Sequence, residues 1–171
     1  MNRPEKNEYA EFYAGYVGLV AEVDIVDALQ NQIDDLKEVF SGISEEQGAF
    51  AYQTGKWTIK ELLGHLIDGE RVFSYRALRI SRQDQTPLAG FEENSYVANA
   101  DFGGRTIADM LEELTLLRQS NVIFFDNLSE NAWLYRGTAS DASVSVRALG
   151  YIMVGHVRHH INILRTRYLK Q

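Results

Sequence analysis

Four histidines, His65, His156, His159 and His160, stand in a chain that contains no cysteine. Without thiols, disulfides, zinc ribbons, iron–sulfur clusters and a cysteine nucleophile are excluded, so a bound metal must be held by imidazole, carboxylate, carbonyl or water. His156 and His160 are one helical turn apart, and on a helix their rings share a face and can converge on one point. Leu149, Ile152, Met153, Ile163 and Leu164 fall on that same face, which places two imidazoles in an apolar stripe and turns His159 toward its edge. A buried imidazole must satisfy both nitrogens or it costs on the order of 1–3 kcal/mol. A metal takes one nitrogen from each ring, and a carbonyl, carboxylate or water takes the other. For the pair alone, a hydrogen-bonded core pair or a partly exposed helix edge is the plain alternative.

His65 supplies a third donor from a distant stretch, between Leu62 and Gly69 on the border of another apolar stripe. Three neutral nitrogens suit Zn²⁺, Ni²⁺, Fe²⁺, Co²⁺ or Mn²⁺. Three protein ligands rather than four leave room for water or substrate, as in catalytic sites. No HExxH is present, because Val157 and Arg158 follow His156, so the zincin general base is missing. Asp68, one turn after His65, is a candidate to orient a ligand ring or act as a base, and equally a surface helix charge.

These side chains need helices to hold them, and the apolar periodicity supplies four. The first runs from Asp24 to Ser41-Gly42, with Ile25, Leu29, Ile33, Leu36 and Phe40 at three- and four-residue spacing. The second opens on Thr58-Ile59-Lys60-Glu61, a capping box with Trp57 placed to staple the first turn, and runs to about Ser81. The third spans Ile107 to Asn127 behind Thr106, and the last runs from Ser145 to about Tyr168. Residues 82–105, with Pro87, Gly90, Gly103 and Gly104, form a connection long for a bundle, which crosses a bundle end, serves as a functional loop, or both. Phe91, Asn94 and Tyr96 in it are candidates to close over the histidines. Residues 129–144 read as loop, and nothing reads as alternating strand with hairpin turns. The aromatic-rich first stretch, with Tyr9, Phe12, Tyr13 and Tyr16, reads as a partly extended strap. The fold class is therefore all-α, a four-helix bundle in one domain of residues 1–171, with a strap at 1–23 and the bundle at 24–170.

A length of 171 residues, 45 % of them hydrophobic, allows a real core and argues against disorder. The net charge of −7 repels phosphate backbones and anionic lipid, so neither nucleic acid nor membrane is an expected partner. No apolar run approaches the ~20 residues of a membrane span, and no signal-peptide h-region is apparent; the expected location is cytoplasmic. Arg71 and Arg76 are expected in salt bridges, although an arginine near the cleft can receive a carboxylate.

The stretch Trp57-Thr58-Ile59-Lys60-Glu61-Leu62-Leu63-Gly64-His65-Leu66-Ile67-Asp68 resembles the Trp-Ser/Thr-x-x-Glu-x-x-x-His-x-x-Asp signature of the DinB-like (DinB/YfiT) superfamily. Glu70-Arg71, Tyr75–Arg79 and the segment Gly155-His156-Val157-Arg158-His159-His160 also fit, so the resemblance extends over about residues 24–169. It implies an up-down-down-up bundle with a long crossover between helices two and three. It implies a metal, often nickel or zinc, on His65, His156 and His160, and frequent homodimers. Characterised relatives include thiol-dependent S-transferases and a maleylpyruvate isomerase, in which the metal activates mycothiol, bacillithiol or glutathione. The resulting expectation is a metal-dependent S-transferase acting on a small-molecule substrate with a low-molecular-weight thiol, in stress response or detoxification. Metal-assisted hydrolysis and a metal-braced, non-enzymatic dimeric binding module are the alternatives.

Overall fold

The structure, a computed structural model, describes residues 2–169. Lys170, the last residue of the expected bundle, lies outside them. Eight helices and one hairpin are present among the described residues: α1 (Ala14–Gly18), α2 (Ile25–Phe40), α3 (Glu45–Gly48), α4 (Ile59–Ser81), α5 (Glu93–Asn99), α6 (Ile107–Asp126), α7 (Glu130–Leu134), β1 (Arg136–Ala139), β2 (Ala142–Ser145) and α8 (Val146–Ile163). Each long helix starts on a side chain that accepts from its own exposed N–H groups. Asp24 accepts from Val26 and Asp27, Thr106 from Asp109, and Ser145 from Ala148. At α4 the capping box is complete: Thr58 accepts from the Glu61 N–H, and the Glu61 carboxylate accepts from the Thr58 N–H at 2.7 Å.

The four long helices form the bundle. α2 and α4 each pack against both α6 and α8. Ile25 faces Gly150, and Gln32 Nε2 donates to the Val154 carbonyl at 3.0 Å, so α2 and α8 advance together. Arg71 pairs with Glu113, and Glu70 with Arg118, along α4 and α6. Two apolar clusters fill the interior. One, around Leu29, Phe73, Phe125 and Ile152, lies toward the hairpin; the other, around Phe40, Leu63, Met110 and Ile161, lies toward the α3 end. No described helix is long and apolar enough to cross a membrane.

One local expectation is corrected, and two others gain detail. Residues 129–144 are not loop: they hold α7 and an antiparallel hairpin with Ala139 opposite Ala142. Its two-residue turn, Ser140-Asp141, has φ of 52° and 60°, the primed turn that matches strand twist. The Leu88 N–H donates to the Thr138 carbonyl at 2.9 Å, which ties the crossover to the hairpin. The last helix ends at Ile163 and continues as a π-helical turn, Leu164–Tyr168. The N-terminal strap is extended at Glu5, Tyr9 and Ala10 and has 3-10 turns at Lys6–Glu8 and Glu11–Tyr13 before α1.

The strap is fastened to α8 at several points, two of them beside the residues that line the site. Glu8, buried, accepts from Arg147 Nε at 2.7 Å and from the Ser145 hydroxyl at 2.7 Å. Farther on, a Cβ added to Gly155 would lie 2.0 Å from the Tyr16 carbonyl oxygen, so only glycine lets α1 sit this close to α8.

Candidate metal centre

α4 and α8 present His65, His156 and His160 to one another. The ring centroids form a triangle with separations of 4.8, 4.8 and 4.6 Å. One nitrogen from each ring lies within 4.8 Å of the others, and the Nε2 atoms of His65 and His156 are 2.8 Å apart. All three side chains are buried. Burial holds them neutral: His65 falls to about 4, His160 to about 3, and His156 lies well below its ordinary value. Neighbouring imidazoles add to burial in each case.

The donors fit a divalent transition ion. Bonds of 2.0–2.1 Å in a tetrahedral site put ligand nitrogens roughly 3.3 Å apart, within the range seen here. No other hydrogen bond to the three rings is formed among the described residues. Gly69 makes room for the cluster, since a Cβ there would lie 2.9 Å from His156 Cε1. Trp57 leans over His65 at 4.8 Å, and Phe73 meets His156 edge-on at 5.5 Å.

The three rings line a cavity of about 340 Å³ whose other walls are mostly aromatic: Phe12, Tyr13 and Tyr16 from the strap, Trp57, Phe73, and Phe91 from the crossover. Ala10 of the strap, Glu93 at the start of α5 and Ser140 in the hairpin turn complete it. Among the described residues Glu93 is the one acidic side chain in the lining, and no lysine or arginine is there. Its charge is felt at the Tyr16 phenol, whose pKa is raised by burial, then by Tyr13, then by Glu93. A smaller opening of about 230 Å³, with Asn94, Tyr52 and Tyr168, reaches His160 from the other side of Trp57. A groove of about 500 Å³ between α2 and α6 contains none of the histidines.

The family model of the DinB superfamily matches residues 28–164. The chain belongs to the DinB superfamily. Among solved structures it is similar to YfiT from Bacillus subtilis, described as a probable metal-dependent hydrolase with an unusual four-helix bundle topology; identity is 16 %, the TM-score 0.74, and the match covers 95 % of this chain and 91 % of that one. At that identity the likeness establishes the shared fold. No curated protein matches the chain.

In this DinB-superfamily chain the other expected residues separate. Asp68 does not line the cavity; its pKa is raised by burial, opposed by Arg71 and reinforced by Glu113, all on the flank facing α6. His159 stays at the edge, 5.2 Å from Tyr16. Phe91 lines the cavity, Asn94 lines the smaller opening, and Tyr96 packs behind Phe91 at 5.2 Å. Trp57 is a cavity wall as well as the residue before the α4 cap. Arg71 is ion-paired with Glu113 at 2.6 Å, as expected. Arg76 forms no ion pair among the described residues: it donates to the Ala89 carbonyl and the Ser140 hydroxyl, each at 2.9 Å. Glu93, Tyr13, Tyr16 and Ser140 were not anticipated as site residues. Only their place beside the histidines in space identifies them, and no local spacing carries that.

Proposed function

We propose that this protein holds one divalent transition ion, with zinc or nickel the leading choices, on His65, His156 and His160. With that ion it hydrolyses a small, largely apolar molecule. The carrying observation is the convergence of three buried, neutral imidazoles at the wall of an open cavity that also contains a carboxylate. A structural metal site is closed, whereas this one has space beside it. A bound ion would supply Lewis acidity, to polarise a carbonyl and to make water nucleophilic near neutral pH.

The chain's own groups take the remaining roles. Glu93 orients the attacking water and accepts its proton at the carboxylate. The aromatic walls bind the apolar part of the substrate and exclude bulk water. Trp57, Gly69 and Phe73 fix the imidazole planes. The description of YfiT as a probable hydrolase supports the same class of reaction. Thiol transfer, the other reading of the family, is disfavoured for glutathione and bacillithiol, whose carboxylates would meet Glu93 and no cation.

The test combines metal analysis of natively purified protein with turnover of a panel of neutral esters, amides and lactones. One ion per chain is expected, with turnover that is lost on chelation, restored by metal, and absent in His156→Ala. A metal–sulfur bond in X-ray absorption with glutathione, bacillithiol or mycothiol, together with no hydrolysis, would transfer the assignment to thiol chemistry. Less than stoichiometric uptake of zinc and nickel by wild-type protein would remove both.

A further inference from the structure

Three buried cations occur among the described residues: Lys60, Arg76 and Arg118. Lys60 has Glu45 at 2.7 Å, and Arg118 has Glu70 at 2.7 Å. Arg76 is only 3 % exposed, yet it forms no ion pair among the described residues. A guanidinium is charged at every accessible pH, and burying it without a counter-ion is unfavourable.

Its hydrogen bonds are one-sided. Nη2 donates both of them, to the Ala89 carbonyl and the Ser140 hydroxyl. Nε and Nη1 have no protein acceptor and are not sealed from solvent. Arg76 lines a groove of about 450 Å³ between α4 and the 86–91 stretch of the crossover, together with Arg71, Arg79, Tyr75 and Tyr96. No aspartate or glutamate lines that groove, in a chain whose net charge is −7. Arg71 and Arg79 are already held by Glu113 and Asp84, which leaves Arg76 as the unmatched cation.

We propose that this groove is an anion site, in which Arg76 donates to the carboxylate or phosphate group of a small ligand from Nε or Nη1, the two free nitrogens on opposite edges of its guanidinium. The Nη2 contacts hold the guanidinium in one orientation before the anion arrives, so little ordering remains to be done on binding. Phe91 and Ser140 line the histidine cavity as well as touching Arg76, whose guanidinium carbon is 6.0 Å from the Phe91 ring centre. An anion in the groove therefore bears on the wall of the histidine cavity through these two residues. The inference stands on the groove alone and does not require a metal.

The decisive measurement follows the Arg76 Nε–Hε resonance in ¹⁵N-labelled full-length protein, assigned by its loss in Arg76→Lys. Inorganic phosphate and succinate are titrated against chloride at matched ionic strength, with protein as purified and after chelation. Saturable movement with phosphate or succinate, absent with chloride and the same in both metal states, is the expected result. The tighter of the two anions then names the ligand group. Calorimetry should show Arg76→Gln weakening that binding about tenfold or more. If Arg76→Gln does not fold, the wild-type titration decides alone. A resonance that stays still, that follows chloride equally, or that moves only in metal-loaded protein overturns the proposal. Because the chelated arm contains no ion, loss of the hydrolase reading would leave this result untouched.

Discussion

Two carboxylates near the histidines have opposite fates. Asp68 is close in sequence to His65 but belongs to the flank with Arg71 and Glu113, while Glu93 is remote in sequence and lines the cavity. Asp68→Asn should therefore leave metal content and turnover within about twofold of wild type. Glu93→Gln should keep the metal and lower kcat about 10²-fold, the low end for losing a general base. Steady-state kinetics on the two metal-loaded variants separate the roles, and equal losses would refute the assignment. The imidazoles make a second prediction at this scale. Their folded pKa values are depressed, so the unfolded chain binds more protons than the metal-free folded one below about pH 6.5. That stability is complete above the unfolded value and is lost as pH falls toward about 4 for His65 and about 3 for His160. Linkage puts the loss on the order of 3 kcal/mol for His65 alone, and His160 adds to it. Thermal melts of chelated protein between pH 7 and 4 should show a fall that His65→Ala reduces.

At the scale of the elements, the strap is a cavity wall whose first turns are fastened by the Glu8 carboxylate. Burial opposes the ionisation of Glu8, but hydrogen bonds from Arg147, Ser145 and the Glu5 N–H outweigh it and hold the carboxyl at about 2. Glu8→Gln should cost about 2 kcal/mol at pH 7 and loosen Tyr13 and Tyr16 from the site, raising KM more than it lowers kcat. Hydrogen exchange in residues 6–18, compared with wild type, reports the loosening; unchanged protection there would refute it. The long helices were legible because their caps are local: Asp24, Thr58, Thr106 and Ser145 each announce a start within three residues. The histidine pair was legible for the same reason, since one helical turn sets its geometry. The hairpin was not. Its turn uses Ser140-Asp141 instead of a glycine, and its strands are four residues long with little alternation, because Ala139 and Ala142 are too small to mark a face. Arg76 was misjudged because neighbouring carboxylates in sequence do not report which backbone carbonyl folds back onto a guanidinium.

For the whole molecule, the alignment of α4 with α8 depends on a polar chain through the middle of the bundle. Arg118, fully buried, donates to Glu70 at 2.7 and 2.8 Å and to Gln32 Oε1 at 2.6 Å, Asn121 donates to Glu70 at 2.8 Å, and Gln32 donates to the Val154 carbonyl. All four long helices are linked in this way. Val154 lies two residues before His156, and Glu70 five residues after His65, so the chain runs beside the histidine cluster. Removing one partner strands a buried charge, and Arg118→Met should cost about 3–5 kcal/mol. Replacing both charges, Glu70→Met with Arg118→Met, should recover most of that stability, since well-packed apolar side chains commonly match a buried ion pair. Metal affinity should behave differently. Gln32 loses the donor that holds its amide toward Val154, so the register of α8 is less fixed, and the double variant should bind zinc or nickel about tenfold more weakly despite its restored stability. Urea melts and metal titrations of the wild type, both singles and the double provide the test. Wild-type affinity in the double variant would show that the network only fills the core; a stability that stays low while affinity is retained would show that it holds the bundle together without setting the site.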